Sequence, residues 1–280
     1  MVASLSIPMK RRESSYLLIL GLPALAVFAA FFLLPLGKLA VTSLKGQDVF
    51  GSYLAIITSA RYRQSLLDTV ALAVVVTFSA LAFSTVAALF LQRNEFPGRR
   101  VLTALLTLPL AFPGVVVGFM VILLGGRQGL VASISHALTG VRIVFAYSLA
   151  GLYVGYLYFS IPRVIVTVMA AVEKLDPSLE EAARSLGASS WQVARDVIVP
   201  ALRPALTATG AICFATAMGA FGTAFTLATN IDVLPMTIYT EFTLSANVTM
   251  AAALSLVLGA ITWAVLYLSR SLSGQPMTMP

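Results

Sequence analysis

A chain of 280 residues that is 59% hydrophobic, only 10% charged and has a mean hydropathy of +0.94 is not a soluble globule, because soluble domains carry about a quarter charged residues. Its formal charge of +7 is read as basic residues anchoring helix ends at one membrane face, not as a nucleic-acid surface. The single cysteine, Cys213, lies in an apolar run and excludes a disulfide framework or a Cys-based metal site.

Six stretches lack Asp, Glu, Lys and Arg: Ser14–Gly37, Thr69–Gln92, Val101–Gly126, Ile143–Pro162, Pro204–Ile231 and Phe242–Ser269. Each is at least about as long as a bilayer span, which needs roughly 20 residues. They predict an all-α polytopic membrane protein, one domain with six transmembrane helices at 14–42, 66–92, 101–125, 143–172, 204–231 and 242–270. Alternation in segments of about 10 residues, which would mark a membrane β-barrel, is missing.

In chain order, residues 1–13 read as a basic cytoplasmic N-terminus. The apolar run that follows is too long for a signal peptide and continues through Phe31, Phe32 and Leu34, so it reads as an uncleaved first span. Thr42–Asp68 is the longest outward connection, with a short surface helix expected near Tyr53–Ile57. The second span is rich in Ala and small polar residues, as packed membrane helices tend to be. Pro97-Gly98 punctuates a tight inward turn. Leu108-Pro109 and Phe112-Pro113-Gly114 predict a break or kink in the third span, tolerated where the freed backbone groups face protein or a cavity.

Gly125–Gly140 reads as an outward loop lying on the membrane, with His136 at its surface. Gly114-x-x-x-Gly118 and Gly151-x-x-x-Gly155 have the spacing of helix-packing motifs, serving contacts within the chain or with a neighbour. The last two spans are joined by Asp232–Glu241, whose two carboxylates are expected to be solvated.

One polar island interrupts the apolar runs, Asp176-Pro-Ser-Leu-Glu-Glu-Ala-Ala-Arg-Ser-Leu-Gly187 continuing to Val199-Pro200. Asp176 suits an N-cap, Pro177 the first helical position and Gly187 a left-handed stop. Ser189 and Gln192 have capping-box spacing for a second helix, expected to end near Pro200. With the N-terminus cytoplasmic, that side receives Lys10, Arg11, Arg12, Arg93, Arg99, Arg100, Arg163, Lys174, Arg184, Arg195, Arg203 and Arg270. The other receives only Lys38, Lys45, Arg61, Arg63, Arg127 and Arg142. This bias places both termini and the island in the cytoplasm.

The island's wording resembles the EAA loop of binding-protein-dependent ABC importer permeases. Glu181-Ala182-Ala183, three residues, Gly187, nine residues and Val197-Ile198-Val199-Pro200 follow that pattern, with Val197 and Val199 in place of its Ile and Leu. Phe96-Pro-Gly-Arg-Arg, Ile161-Pro162-Arg163, Met218-Gly-Ala-Phe-Gly-Thr223 and Leu234-Pro-Met-Thr-Ile-Tyr239 extend the resemblance across roughly Ser65–Leu272. It is similar to the branch handling polyamines, iron, sulfate, molybdate or aminoethylphosphonate. Some members have an acidic residue where this chain has Ala220.

The resemblance implies a coupling loop at 173–203 between helices 4 and 5, in which Leu179, Glu180, Glu181, Ala182, Ala183, Gly187 and Pro200 meet an ATPase. Glu181 is the residue expected to pair with a basic group of that partner. The chain has no Gly-x-x-x-x-Gly-Lys-Ser/Thr loop and no His-Glu-x-x-His. The resemblance accordingly places ATP and magnesium on a separate subunit, with no cofactor or metal in this chain and no nucleic acid. Expected partners are two ATP-binding subunits, a second permease (identical or similar), a periplasmic or lipid-anchored substrate-binding protein and membrane lipid.

Thr216, Met218, Phe221, Thr223, Thr226 and Thr229 are the candidates for a solute path, each also suited to plain helix packing. The fifth window holds no charge, so charge-selective binding inside the membrane is not expected. The implied activity is solute import into the cell across the bacterial inner membrane by alternating access, the solute being a polyamine, aminoethylphosphonate, ferric iron or an oxyanion. An ion-coupled carrier should show mid-membrane ionisable residues or inverted repeats. An intramembrane enzyme should show clustered catalytic residues, and the apolar windows display neither set.

Overall fold

Helices fill the apolar runs and break where proline, glycine or clustered polar residues interrupt them. The computed structural model describes residues 21–45, 50–227 and 231–272, which form helices and no strands. The expected N-terminal segment, the start of the first span and Thr229 lie outside the described residues. In chain order the helices are α1 (Gly21–Ser43), α2 (Gly51–Thr58), α3 (Ala60–Arg93), α4 (Arg99–Thr107) and α5 (Gly114–Gly125). Then come α6 (Leu130–Thr139), α7 (Leu149–Val172), α8 (Pro177–Ser185) and α9 (Ser190–Met218). The chain continues through α10 (Phe221–Leu227), α11 (Leu234–Thr243) and α12 (Val248–Leu272).

Six segments are long and apolar enough to cross a membrane, although the third, Gly114–Thr139, contains a turn at 126–129. Several boundaries differ from the sequence expectation. The outward connection after α1 shrinks, because α2 is followed almost at once by α3, which begins at Ala60 and not near residue 66. The outward loop after α5 is itself largely helical, as α6. The fourth span starts at Leu149, since residues 141–148 run back along α5, where Phe145 and Ala146 both donate their N–H groups to the Gly125 carbonyl. The connection from Asp232 to Glu241 is mostly helix α11, and the sixth span starts at Val248.

The third expected span is broken. Thr107 passes into a tight turn at Leu108–Ala111, and Phe112-Pro113 is extended before α5 starts. The fifth is broken as well: α9 stops at Met218, and Gly219-Ala220 separates it from α10. Pro200 does not end a helix. It lies inside α9, directly after a π-turn at Ala194–Ile198. A proline in a regular helix clashes with the carbonyl four residues back, and the wider turn opens the ladder around Asp196, the residue in that position. A π-turn at Ala29–Leu33 precedes Pro35 in α1 in the same way.

The core is centred on α3 against α7. Small residues on one face of α3 (Ala73, Ala80, Ser84 and Ala88) are completely buried, which lets two membrane helices approach closely when lipid offers no hydrophobic drive to pair them. Val164, Val168 and Val172 of α7 and Leu202 and Cys213 of α9 close one cluster. Leu152 and Tyr156 of α7, with Phe214, Ala217 and Met218 of α9, close another.

Helix α11 is tied to α3 at the end away from the α8–α9 hairpin by polar contacts one turn apart. Leu234 donates its N–H to Thr69 Oγ1 at 2.7 Å, Ser65 and Thr237 share a hydroxyl contact at 2.7 Å, and Tyr62 donates to Glu241 at 3.0 Å. Glu241 is therefore buried and paired, with Arg61 Nη1 at 3.5 Å, contrary to the expectation that it is solvated. Asp232 stays exposed, 4.0 Å from the same arginine.

Candidate functional site

The hairpin of α8 and the start of α9 is built by local capping. Asp176 Oδ1 accepts from the Ser178 N–H at 2.9 Å, and Pro177 occupies the first helical position. These bonds hold the exposed Asp176 carboxyl below the usual carboxylate range, because a carboxylate accepting from backbone N–H groups is favoured over its acid. At the other end Gly187 has φ +86° and donates to Arg184 O, while Ala188 donates to Ala183 O. Those paired bonds are a Schellman stop, which requires the left-handed conformation glycine adopts without strain. Ser189 and Gln192 then bond each other's backbone reciprocally and start α9.

The two neighbouring glutamates have different surroundings. Glu180 is buried and accepts both Nη groups of Arg93, the last residue of α3. This bidentate fork is the strong form of a charge-assisted contact. Glu181 is exposed. The hairpin is thus fastened beneath α3 by Glu180, leaving Glu181, Ala182 and Leu179 facing out. Leu186, 90% exposed, and Trp191, 74% exposed, extend that apolar surface. Leu179, Ala182 and Leu186 lie at helical spacing along one stripe. The sequence resemblance alone points to neither Leu186, Trp191 nor Arg93 as part of this surface. The i, i+3, i+7 pattern would have found Leu186, whereas nothing local to Arg93 indicates its partner.

The two broken helices meet further into the bundle. A Cβ added at Gly118 would lie 2.6 Å from Thr226 Cβ, one at Gly114 would lie 3.1 Å from Thr223 Oγ1, and one at Gly155 would lie 2.7 Å from Thr223 Cγ2. Both glycine motifs therefore serve contacts within this chain, with α5 and α7 closing on α10. Thr223 donates to Gly114 O at 2.9 Å, which braces the backbone at the α5 break. Tyr156 donates to Ala220 O at 2.8 Å and does the same at the α9 break.

Beside this crossing is a cavity of about 340 Å³, lined by Pro109, Phe112, Phe159, Arg163, Thr216 and Thr223 among others. Of the path candidates, Thr216 and Thr223 reach it. Met218 does not, being fully buried in the core. Phe221 forms an aromatic cluster with Phe225 and Tyr239, and Thr226 bonds the carbonyls of Gly222 and Val115. Arg163, grouped from sequence with the helix-end cations, is instead inside α7, about 14 Å along the axis from Val172 at 1.5 Å per residue. Its Nη1 donates to Thr216 Oγ1 at 2.5 Å. The charge absent from the fifth span's own sequence is thereby supplied by α7. An arginine at a membrane-helix centre costs about 2.5–3.5 kcal/mol on insertion scales, so it faces protein or a water-filled space.

A family model described as binding-protein-dependent transport system inner membrane component matches residues 80–273. The chain belongs to that family. It is a multi-pass inner-membrane component of an ABC importer that works with a substrate-binding protein, and the ATP chemistry resides on another subunit. It is 37% identical over 211 residues to a chloroplastic sulfate permease of Chlamydomonas reinhardtii, covering 74% of this chain and 56% of that longer protein. A probable sulfate transport system permease of Chlorokybus atmophyticus is 30% identical, with 82% and 83% covered. The molybdenum transport system permease of Escherichia coli K12 is 31% identical, with 78% and 96% covered. In fold it is similar to a chain of a bacterial ABC transporter involved in alginate import, at TM-score 0.80 and 17% identity, covering 95% of this chain and 98% of that one.

Proposed function

We propose that this permease imports a tetrahedral oxyanion such as sulfate or molybdate. In this reading the α8–α9 hairpin is its coupling element and faces the cytoplasm together with both termini. Two such chains, identical or similar, enclose the path. Two ATP-binding subunits beneath them hold ATP and magnesium, while this chain holds no cofactor. A periplasmic or lipid-anchored binding protein delivers the solute from the opposite side.

The observation that carries the solute class is the arginine in the cavity, read alongside relatives named for sulfate and molybdate at 30–37% identity. A cation there repels polyamines and free ferric ions, which removes two of the solute classes that the sequence leaves open. The coupling role is supported by the fork from Arg93 to Glu180, since a rigid hairpin anchored to α3 transmits a push to the helix that forms the core.

Reconstitution of the complete complex in proteoliposomes tests the reading. ATP-dependent uptake of radiolabelled sulfate or molybdate is expected, and uptake of a polyamine or ferric ion instead overturns it. For orientation, a Ser189→Cys variant should react with impermeant maleimide only from the cytoplasmic side. Labelling from the periplasm reverses the topology.

A further inference from the structure

We infer that Arg163 is an anion-contacting residue of the translocation path, offering its guanidinium to the oxyanion as it passes the crossing of the broken helices. The inference rests on the oxyanion reading above and adds the residue that contacts the solute within this chain. Three observations lead to it.

Arg163 lies within a membrane-crossing helix yet forms no ion pair among the described residues. Two arginines nearer the helix ends do have carboxylates: Arg93 has Glu180, and Arg61 has Glu241. A structural arginine at this depth would be expected to be neutralised in the same way.

Its one side-chain bond goes to a hydroxyl, which leaves its charge intact. A guanidinium has five N–H donors in a planar fork, and one of them reaches Thr216 Oγ1. Thr216 in turn donates to Ile212 O at 2.8 Å, so its oxygen is free to accept from Arg163. The threonine positions the fork without consuming it. The remaining donors suit the bidentate geometry of a tetrahedral oxyanion.

Arg163 also lines a space that could hold such an ion. The cavity of about 340 Å³ has roughly the volume of ten liquid waters, enough for the anion with part of its hydration shell. A second, larger groove of about 770 Å³, lined by Arg99 and Arg100 with Glu95 and Thr103, lies nearer the hairpin end. A single cation with no buried carboxylate attracts an anion without trapping it, as a path requires and a storage site does not.

The alternative role for Arg163 is a strut that joins α7 to α9 through Thr216. Uptake of radiolabelled sulfate and molybdate by the complete complex separates the two, with Arg163→Gln, Arg163→Lys and Thr216→Val measured beside the wild type. The anion role predicts that R163Q lowers the initial rate about tenfold or more, whereas R163K keeps the charge but loses the fork and falls between R163Q and wild type. T216V removes the strut and the positioning hydroxyl but spares the cation, so its rate should fall clearly less than that of R163Q. R163Q at the wild-type rate, or T216V falling as far as R163Q, overturns the inference.

Where R163Q does not assemble by size-exclusion chromatography, the comparison of R163K with T216V decides. Transport retained in both upholds the anion role, and loss in T216V assigns the strut. Wild-type complex that imports a cation and no oxyanion overturns the solute reading and this inference together. Oxyanion import that is indifferent to Arg163 overturns only the latter.

Discussion

Arg93 and Arg163 are both arginines on core helices, and the difference in what they touch separates the proposed mechanical part of this permease from its proposed conducting part. Arg93, at the end of α3, gives both Nη groups to a buried carboxylate on the hairpin, so its charge is spent on holding two elements together. Arg163, inside α7, touches a hydroxyl beside a cavity and keeps its charge. A neutralised arginine ties parts together, while an unneutralised one within a membrane needs something else to meet.

Charge reversal at the first pair should produce the largest effect. Glu180→Lys sets two cations against each other, and removing one partner of such a pair while leaving the other in place costs about 1–3 kcal/mol. The value lies below the fully buried range because the Arg93 side chain is 31% exposed. ATPase stimulation by the binding protein should fall with transport. The double variant Arg93→Glu/Glu180→Arg should recover part of both. Full stimulation in Glu180→Lys would show that the hairpin does not couple through α3.

A second test addresses the crossing that flanks Arg163. Gly118→Ala places a methyl group 2.6 Å from Thr226 Cβ, an atom next to the backbone that cannot swing away. Overpacking of this kind costs about 1–3 kcal/mol, read as a lower midpoint of thermal unfolding for the detergent-solubilised complex. The double variant Gly118→Ala/Thr226→Gly, which removes the clashing Cβ, should regain part of it. If Gly118→Ala alone is neutral, α5 and α10 are not packed as closely as described.

Gly187→Val addresses the hairpin without touching its ion pair. A β-branched residue at φ +86° is strained by about 1–2 kcal/mol, so the Schellman turn should loosen. The expected outcome is weaker retention of the ATPase subunit on the solubilised permease, with folding of the membrane helices intact. Gly187→Asn, which tolerates the left-handed region, should lie between wild type and Gly187→Val.

The contrast between the two arginines also marks what the sequence could reveal. Capping chemistry is local: Asp176, Pro177, Gly187, Ser189 and Gln192 each act within a few residues, and their bonds form where spacing places them. The breaks at Phe112-Pro113 and Gly219-Ala220 are half-legible. Proline announces the first, but the second follows a glycine in a chain that tolerates many. Pro200 misleads because the rule that proline ends a helix assumes a regular ladder, and a π-turn suspends it.

Long-range pairing leaves no trace in local pattern. Arg93 finds Glu180 across 87 residues, Arg163 finds Thr216 across 53, and Tyr62 finds Glu241 across 179. Charge counting places Arg93, Arg163, Glu180 and Glu241 at helix ends or in loops, and tertiary contact moves Arg163 and Glu241 inside.

The smallest expected effect is at Asp176, a cap that takes part in neither arginine's contacts. Its carboxyl is held below its ordinary value by the Ser178 N–H. A lowered carboxylate pKa means the folded state favours the ionised form. The cap's contribution is therefore complete above the unfolded value, near 3.8, and disappears as pH falls through the lowered folded one. Around neutral pH the hairpin should show no pH dependence from this group. Asp176→Asn, which keeps an acceptor oxygen, should leave the transport rate close to wild type, and Asp176→Ala should fray only the first turn of α8, visible as faster amide hydrogen exchange at Ser178 and Leu179. Exchange that speeds up through Leu186 as well would mean the cap holds the whole helix, and the hairpin's rigidity would then depend on Asp176 as much as on the tie from Arg93 to Glu180.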